Sequence, residues 1–346
     1  MTRRRDPGSR PMIDLHRHLE GSVRPGTLRE LAGEAGLGLT AARLRRRSTM
    51  AGARPGFLRF LSRFEILRGL FPSREWIERV AFEAAEDAAR DGVVYLELRF
   101  SPAFFARRMK ARGEDVAGWV AGAARRAGIP VRFIATFGRH VSLEENRPTF
   151  RAVQGTEVFS GLDVAGDERR SAAPFLPFFR RAGLPVTIHA GEKGGPDNVR
   201  EAIERFGARR IGHGVRVLED PRVLRMARER GIVFETCLTG EIQTGAARSW
   251  DRHPARLMME AGLRVTLNTD DPSVSGIRLS DEFRRARRAG FTEADLRRAT
   301  LEAARAAFLA PAARSRLETL VERRWPAARG CDNSCTARGA KLSSAR

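Results

Sequence analysis

Short apolar runs rich in β-branched and aromatic residues recur along the chain, and amphipathic helical patterns separate most of them. The eight runs are candidate strands, and they cover residues 12–16, 93–100, 131–137, 158–165, 185–189, 210–213, 232–236 and 264–269. The clearest helix covers residues 73–90, where Ser73 precedes apolar residues at helical spacing and Gly92 follows. Strand and helix alternating eight times favour a parallel barrel. The sequence therefore predicts an α/β protein, a (β/α)8 TIM barrel.

The longest departure from this alternation lies between residues 19 and 92, where two or three predicted helical segments follow the first strand. One covers residues 57–70, and its apolar residues share one helical face: Phe57, Phe60, Leu61, Phe64 and Leu67. Such spacing usually indicates ordinary core packing. An insertion after a barrel strand also lies at the catalytic mouth, so part of this face is a candidate wall of a substrate pocket.

Polar residues follow five of the candidate strands at their carboxyl ends, where barrel enzymes build their active sites. These residues are His16 and His18, Gly166 to Glu168, His189 and Glu192, His213, and Asp270 with Asp271. Four of the six histidines lie at such ends. The other two, His140 and His253, are predicted to be surface or supporting residues.

The pair His16 and His18 has the spacing of metal ligands on a strand. Residues two apart on a strand point to the same side, so both imidazoles can enter one space. Imidazole and carboxylate suit zinc or another borderline divalent ion. Because three separated segments end in such groups, the sequence suggests one metal site closed by the fold.

The composition is that of a large globular protein. The chain has 346 residues, of which 42% are hydrophobic and 30% charged, enough for a sizeable core. We predict one barrel domain over residues 11–326, between poorly ordered tails at 1–10 and 327–346. No apolar run approaches the roughly 18 residues of a membrane span, and no apolar signal core follows Arg3 to Arg5. We therefore expect a cytoplasmic protein without a membrane partner.

The formal charge of +21 raises the alternative of a non-catalytic nucleic-acid-binding protein. Of the 63 basic residues only Lys110, Lys193 and Lys341 are lysines, which leaves 60 arginines. The arginines are dispersed, mostly at helical positions. Such a ratio is more typical of genomic compositional bias than of a docking patch, so no specific nucleic-acid partner is expected.

The cysteines Cys237, Cys331 and Cys335 are too few for a disulfide framework. Cys331 and Cys335 could bind a metal, but they lack a second pair of ligands nearby.

Six segments in this order resemble the adenosine deaminase family of the metal-dependent amidohydrolases. The resemblance covers residues 13–320. It rests on Asp-Leu-His-Arg-His-Leu-Glu-Gly-Ser (14–22), Tyr-Leu-Glu-Leu-Arg-Phe-Ser-Pro (95–102), Gly-Leu-Asp-Val-Ala-Gly-Asp-Glu (161–168), Thr-Ile-His-Ala-Gly-Glu (187–192), Arg-Ile-Gly-His-Gly (210–214) and Asn-Thr-Asp-Asp-Pro (268–272). Any one segment alone would be weak, whereas together they are highly specific.

The resemblance implies one zinc ion per chain and a water that attacks C6 of adenine. The residues at the family's ligand positions are His16, His18, His189 and Asp270. His213 matches the residue that orients the water and takes or stabilises its proton. Glu192 matches the proton donor to ring N1, a role for a carboxylic acid with a raised pKa.

The resemblance also implies a set of substrate contacts. Asp271 matches the group that hydrogen-bonds N7, and the backbone of Gly166 matches the donor to N3. Glu20 corresponds to an acidic residue, often Asp in relatives, that contacts the ribose hydroxyls, and Phe60 and Phe64 correspond to an apolar lid.

The chain departs from the family at Gly240 and Glu241, where relatives usually carry Ser-Asn. We expect this carboxylate near the mouth to alter loop packing or substrate preference. The stretches after His140 and after Glu168 also look a few residues short.

The predicted function is hydrolysis of adenosine, and of 2′-deoxyadenosine, to an inosine nucleoside and ammonia. Adenine deaminase and an aminodeoxyfutalosine-type deaminase are the alternatives within the enzyme class, because they share the metal ligands and differ in what fills the space beyond the base. Glu20, Phe60 and Phe64 favour a nucleoside. A silent nucleic-acid-binding protein would predict broken metal ligands, and all four are present.

Overall fold

Eight parallel strands form the centre of the molecule. The computed structural model describes residues 10–68 and 70–325. In this part of the chain the strands are Met12–His18 (β1), Val93–Phe100 (β2), Val131–Gly138 (β3), Phe159–Ala165 (β4), Thr187–His189 (β5), Arg210–Gly212 (β6), Val233–Thr236 (β7) and Arg264–Leu267 (β8). They pair in chain order, β1 to β4 and β5 to β8. Parallel bridges Leu162–Val186 and Arg17–Asp270 join the two halves, so the predicted (β/α)8 barrel is confirmed.

Helices follow the strands around the barrel. Among the described residues they are Pro25–Glu34 (α1), Ala41–Ser48 (α2), Phe57–Leu61 (α3), Arg74–Arg90 (α4), Pro102–Ala106 (α5), Gly113–Arg125 (α6), Arg147–Gly155 (α7), Leu176–Ala182 (α8), Pro196–Phe206 (α9), Pro221–Glu229 (α10), Leu238–Thr244 (α11), Pro254–Glu260 (α12), Pro272–Ser275 (α13), Leu279–Arg288 (α14), Glu293–Ala306 (α15) and Pro311–Arg324 (α16). In this part of the chain, the helices lack the length and apolar composition that crossing a bilayer requires.

The main hydrophobic core lies between the strands and the surrounding helices. Ile77 and Val80 of α4 and Leu96 and Leu98 of β2 belong to this core, and all four are fully buried. Every residue of β2 is buried, as expected for a strand covered on both faces. The helices therefore hold the strands in place, and the strand ends remain free to carry functional groups.

The insertion after β1 differs from its prediction in two ways. It contains four α-helices, α1 to α4, rather than two or three. The sequence signal for α2 is weak, because this helix buries only Leu44. The predicted helix over residues 57–70 instead ends at Leu61, and a 3-10 turn and further turns follow. Phe60 packs with Met50 and Val274, whereas Leu67 packs in the main core. The segment bends because its apolar residues pack in these two separate clusters.

The strand predictions are accurate to within two residues at each end. β1 continues through His18, so both histidines of the pair lie on one strand. The predicted tails lie almost wholly outside the described residues, as do Cys331 and Cys335.

Candidate metal and substrate site

Four predicted ligand side chains converge at the carboxyl ends of the strands. His16 and His18 come from β1, His189 ends β5, and Asp270 follows β8; one ligand atom from each lies within 4.8 Å of the others. The Nε2 atom of His189 lies 3.1 Å from that of His16 and 3.2 Å from that of His18. Asp270 Oδ1 lies 3.4 Å from His16 Nε2 and 3.5 Å from His18 Nε2.

The second ring nitrogens show why this cluster fits a cation. His16 Nδ1 lies 2.8 Å from Glu235 Oε2, and His189 Nδ1 lies 3.0 Å from Asp163 Oδ1. Carboxylates accept from Nδ1–H, which leaves the Nε2 lone pairs directed at one another. Burial lowers the pKa of His16 well below its usual value, so its imidazole is neutral. Neutral imidazoles and one carboxylate around one space are a donor set that zinc prefers.

The backbone at Asp270 is held from both sides by β1. Asp270 N donates to His16 O over 2.7 Å, and Asp270 O accepts from His18 N at 2.8 Å. The φ angle of Asp270 is 61°, in the left-handed region that favours glycine. Such strain persists where the surroundings determine the geometry, so the fold positions this carboxylate.

A buried ionic network supports the cluster from below. Arg99 contacts Asp163 over 3.2 Å and Glu235 over 2.7 Å, and all three side chains are fully buried. Arg210 pairs with Glu97 and with the second oxygen of Glu235. Although burial raises the pKa of Asp163, His189 and Arg99 hold it below its usual range. Asp163, which orients the His189 ring, is thus itself held as a charged group.

This network was not predicted from the sequence. Its signal was present, because charged residues interrupt otherwise apolar strands at Glu97, Arg99, Asp163, Arg210 and Glu235. A charge inside a buried strand requires a partner, but the sequence alone does not show which strand supplies it.

We expect Arg99→Met to lower the free energy of unfolding by about 3–5 kcal/mol, because Asp163 and Glu235 would become buried carboxylates without their shared cation. Urea denaturation measures the change. Arg205→Met is the control, since Arg205 is half-exposed and pairs with Glu201 along α9, a contact worth about 0–1 kcal/mol. A loss in Arg99→Met no larger than in this control would contradict the assignment.

Glu192 and His213 lie beside the ligand cluster. The His213 ring centroid is 5.0 Å from that of His16, and His213 Nε2 lies 3.8 Å from Glu192 Oε2. Burial raises the pKa of Glu192 to about 7. Glu192 Oε1 is buried without a hydrogen-bond partner among the described residues. Near neutral pH this carboxyl group can therefore hold a proton and donate it into the cavity.

The loop that carries Glu192 is held by another carboxylate. Glu168 accepts hydrogen bonds from the backbone N–H groups of Gly191, Glu192, Lys193 and Gly194. Its position after β4 thus fixes the loop after β5.

The charge on His213 depends on two carboxylates. Burial lowers the pKa of this imidazole, but Glu192 and the hydrogen bond to Glu241 outweigh burial, so the pKa of His213 lies well above its usual value. The φ angle of His213 is 60°, a second left-handed residue at the site. Gly191 and Gly214 lie close together behind it, since a Cβ at Gly191 would be 3.3 Å from Gly214 Cα.

A cavity of about 470 Å³ opens above this cluster. It is lined by most of the predicted site residues: His18, Glu20, Phe60, Phe64, Gly166, His189, Glu192, His213, Asp270 and Asp271. His16 is fully buried beneath them. The structure therefore brings the predicted catalytic, metal and substrate residues together, including the apolar wall from the insertion.

Two further carboxyl groups present unpaired oxygens at the cavity. Glu20 Oε1 accepts from Ser101 N over 2.7 Å, whereas Glu20 Oε2 and Asp271 Oδ1 are buried without hydrogen-bond partners among the described residues. Burial raises the pKa of Glu20 to about 7, and burial together with Asp270 raises that of Asp271 well above its usual range. A Cβ at Gly21 would lie only 1.8 Å from Asp271 Oδ1, so a glycine is needed there.

Gly166 and His140 form another part of the wall. Gly166 has a φ angle of 98°, and a Cβ there would lie 2.3 Å from His140 Nδ1. His140 is exposed, as predicted, but it also lines the cavity, with Nε2 3.2 Å from an Arg68 nitrogen. His253 is a buried supporting residue, whose Nδ1 accepts from Ala255 N at the start of α12.

Glu241 lies elsewhere than predicted. We expected this carboxylate near the mouth, but it is fully buried in α11 and is absent from the cavity lining. Its Oε1 lies 3.4 Å from His213 Nδ1, on the side of that ring away from Glu192.

The chain is similar to known proteins in both sequence and structure. The sequence model of the family described as adenosine deaminase matches residues 11–324. The adenosine deaminase of Edwardsiella ictaluri is 36% identical over 315 residues, which are 87% of this chain and 95% of that protein. An adenine deaminase from Arthrobacter aurescens superposes with a TM-score of 0.83 at 23% identity, over 91% of this chain and 99% of that one. A zinc-bound amidohydrolase from Burkholderia ambifaria also has a TM-score of 0.83, at 25% identity over 92% and 91% of the two chains.

Proposed function

The chain belongs to the adenosine deaminase family, and on that premise we propose that it hydrolyses adenosine and 2′-deoxyadenosine to the corresponding inosine nucleosides and ammonia. One observation supports this most strongly. Three imidazoles and a carboxylate meet at one point beside a carboxyl group whose pKa is about 7, at the floor of one cavity. Metal ligands and a proton donor are the two elements that hydrolysis at C6 of a purine requires.

We assign His16, His18, His189 and Asp270 as the residues that hold zinc. The ion would supply a water of lowered pKa, and so a nucleophile near neutral pH. Glu235 and Asp163 orient the His16 and His189 rings through Nδ1, and both carboxylates are held in turn by Arg99.

Glu192 acts as the general acid. Attack at C6 places electron density on N1 of the ring, and a protonated Glu192 transfers its proton there. His213 lies within 4 Å of Glu192 and holds the proton that leaves the nucleophile. The proton that His213 holds then passes to the exocyclic nitrogen, and the hydroxyl group on C6 returns a proton to the Glu192 carboxylate. The bond from C6 to that nitrogen breaks, C6=O forms, and ammonia departs.

The remaining cavity residues bind the substrate. Asp271 has a raised pKa and an unpaired oxygen, which suits a protonated carboxyl group that donates to N7. The Gly166 N–H donates to N3, since the missing side chain lets the base approach the backbone. Phe60 and Phe64, with ring centroids 6.1 Å apart, cover the apolar face of the nucleoside.

We expect the kcat/KM of the wild-type protein to be well over ~100-fold higher for adenosine than for adenine. A site built for a sugar hydroxyl leaves its polar group unpaired when the sugar is missing, and Glu20 Oε2 is the unpaired group. Glu20→Ala should shrink the gap mainly by impairing adenosine. Glu20→Gln should restore part of it, because an amide oxygen can still accept from Ser101 N.

Steady-state kinetics with adenosine, adenine and larger 6-amino nucleosides checks this prediction. Equal efficiencies for adenine and adenosine would favour the adenine deaminase alternative. A larger nucleoside that outperformed adenosine would favour the aminodeoxyfutalosine-type alternative.

The charge of the chain does not require a nucleic-acid partner. Exposed arginines pair with carboxylates one turn away, as in Arg74 with Glu78 and Arg90 with Glu86. This local pairing supports the interpretation of the arginine excess as background, so turnover of a free nucleoside should need no nucleic acid. The absence of a specific nucleic-acid partner stays a prediction.

A further inference from the structure

Glu241 lies behind His213, outside the cavity lining. It lies on the first turn of α11 and is fully buried. Its Oε1 accepts from Cys237 N over 2.9 Å and lies 3.4 Å from His213 Nδ1. A buried carboxylate is costly unless it is paired, so this contact constrains both side chains.

The other oxygen of Glu241 faces a second histidine. His253 Nε2 lies 3.4 Å from Glu241 Oε2. Because His253 Nδ1 accepts from Ala255 N, the ring proton of neutral His253 is on Nε2, which donates to Leu238 O over 3.3 Å. Burial lowers the pKa of His253, which favours this neutral form. Glu241 Oε2 has no hydrogen-bond partner among the described residues, so Glu241 is held through Oε1, by Cys237 N and the His213 ring.

We propose that Glu241 is a positioning residue that accepts the Nδ1 proton of His213 and thereby holds the Nε2 atom of His213 towards Glu192 and the cavity; its effect on turnover rests on the proposed deaminase function. A carboxylate can only accept, so it keeps a proton on Nδ1 whether the His213 ring is neutral or charged. An amide in its place could present either an acceptor or a donor and would make no such selection. Glu241 therefore acts on the orientation of His213 rather than at the mouth of the cavity.

The neighbouring Gly240 leaves room for this arrangement. A Cβ at Gly240 would already lie 3.0 Å from Asp270 Oδ2. A serine there would crowd Asp270, whereas glycine leaves this space free while the longer Glu241 side chain contacts His213. The pair Gly-Glu therefore alters support for His213 without adding a side chain against Asp270.

The test uses full-length, zinc-loaded Glu241→Leu and Glu241→Gln proteins, with Glu260→Leu as the control. Glu260 is exposed on α12 and pairs only with Arg256 among the described residues. We expect Glu241→Leu to lower kcat for adenosine about 10–100-fold, the scale typical of residues that orient a functional histidine, with KM and bound zinc within about twofold of wild type. Glu241→Gln should recover part of the loss, since its oxygen can accept, and Glu260→Leu should match wild type.

The histidine ring nitrogens supply a readout that does not depend on turnover. In ¹⁵N-histidine-labelled protein, two-bond ¹H–¹⁵N correlation spectra distinguish the ring tautomers, and His213→Asn identifies the His213 signals. We expect a protonated Nδ1 in wild type, a mixture of forms in Glu241→Gln, and loss of the Nδ1–H pattern in Glu241→Leu. The Gln variant is close in shape to wild type, so it preserves the test if the Leu variant does not fold.

The outcomes separate the two proposals. A wild-type protein that turns over no adenosine, but whose His213 spectra change with Glu241 as expected, would reject the deaminase function and keep the positioning role. His213 spectra that are the same in wild type, Glu241→Gln and Glu260→Leu would overturn the positioning role, whatever the activity.

Discussion

Glu192→Gln should lower kcat for adenosine at least ~100-fold, the lower scale of general acid catalysis, while bound zinc stays at the wild-type level. The amide has nearly the shape of the carboxyl group but has no acidic proton to transfer to N1. Burial raises the pKa of Glu192 to about 7, so the wild-type group can hold that proton at neutral pH. The steady-state rate of ammonia release gives kcat, and metal analysis of the same preparation gives the bound zinc.

Glu204→Gln is the matched control, because Glu204 is exposed on α9, away from the cavity lining. This variant should behave as wild type in both measurements. A Glu192→Gln protein within a few-fold of wild type would remove Glu192 from the mechanism, and loss of its zinc would mean that Glu192 supports the metal instead.

Replacing His189 or Asp270 by Ala should lower bound zinc and adenosine turnover together. Each residue supplies one of four converging ligand atoms, and three remaining ligands hold the ion less tightly. His140→Ala is the matched histidine control for metal content, since His140 lies at the exposed rim and outside the ligand cluster. Full zinc occupancy in both His189→Ala and Asp270→Ala would show that the ligand assignment is wrong.

The strand positions could be predicted from the sequence because each strand is a short apolar run with a helical pattern after it. The site could be predicted because functional residues of a barrel lie at the carboxyl ends of its strands. This rule predicts that His16, His189 and Asp270 lie close together. β1 was the informative strand, since its histidines two residues apart must share a side.

The remaining features depend on contacts between distant parts of the chain. The predicted helix over residues 57–70 bends because Phe60 and Leu67 pack in different clusters, which helical spacing alone does not reveal. The role of Arg99 depends on carboxylates from β4 and β7. Glu241 looked like a residue of the mouth, and only the fold shows it behind His213. Such pairings are set by three-dimensional packing rather than by local pattern.

Metal dependence of adenosine turnover tests the central claim most directly. Protein freed of metal by a chelator would be titrated with zinc while inosine and ammonia are quantified. We predict negligible turnover without metal, a rise in proportion to bound zinc, and a plateau at one zinc ion per chain. Full turnover by the metal-free protein, or no ammonia from adenosine with the zinc-saturated protein, would contradict a zinc-dependent adenosine deaminase.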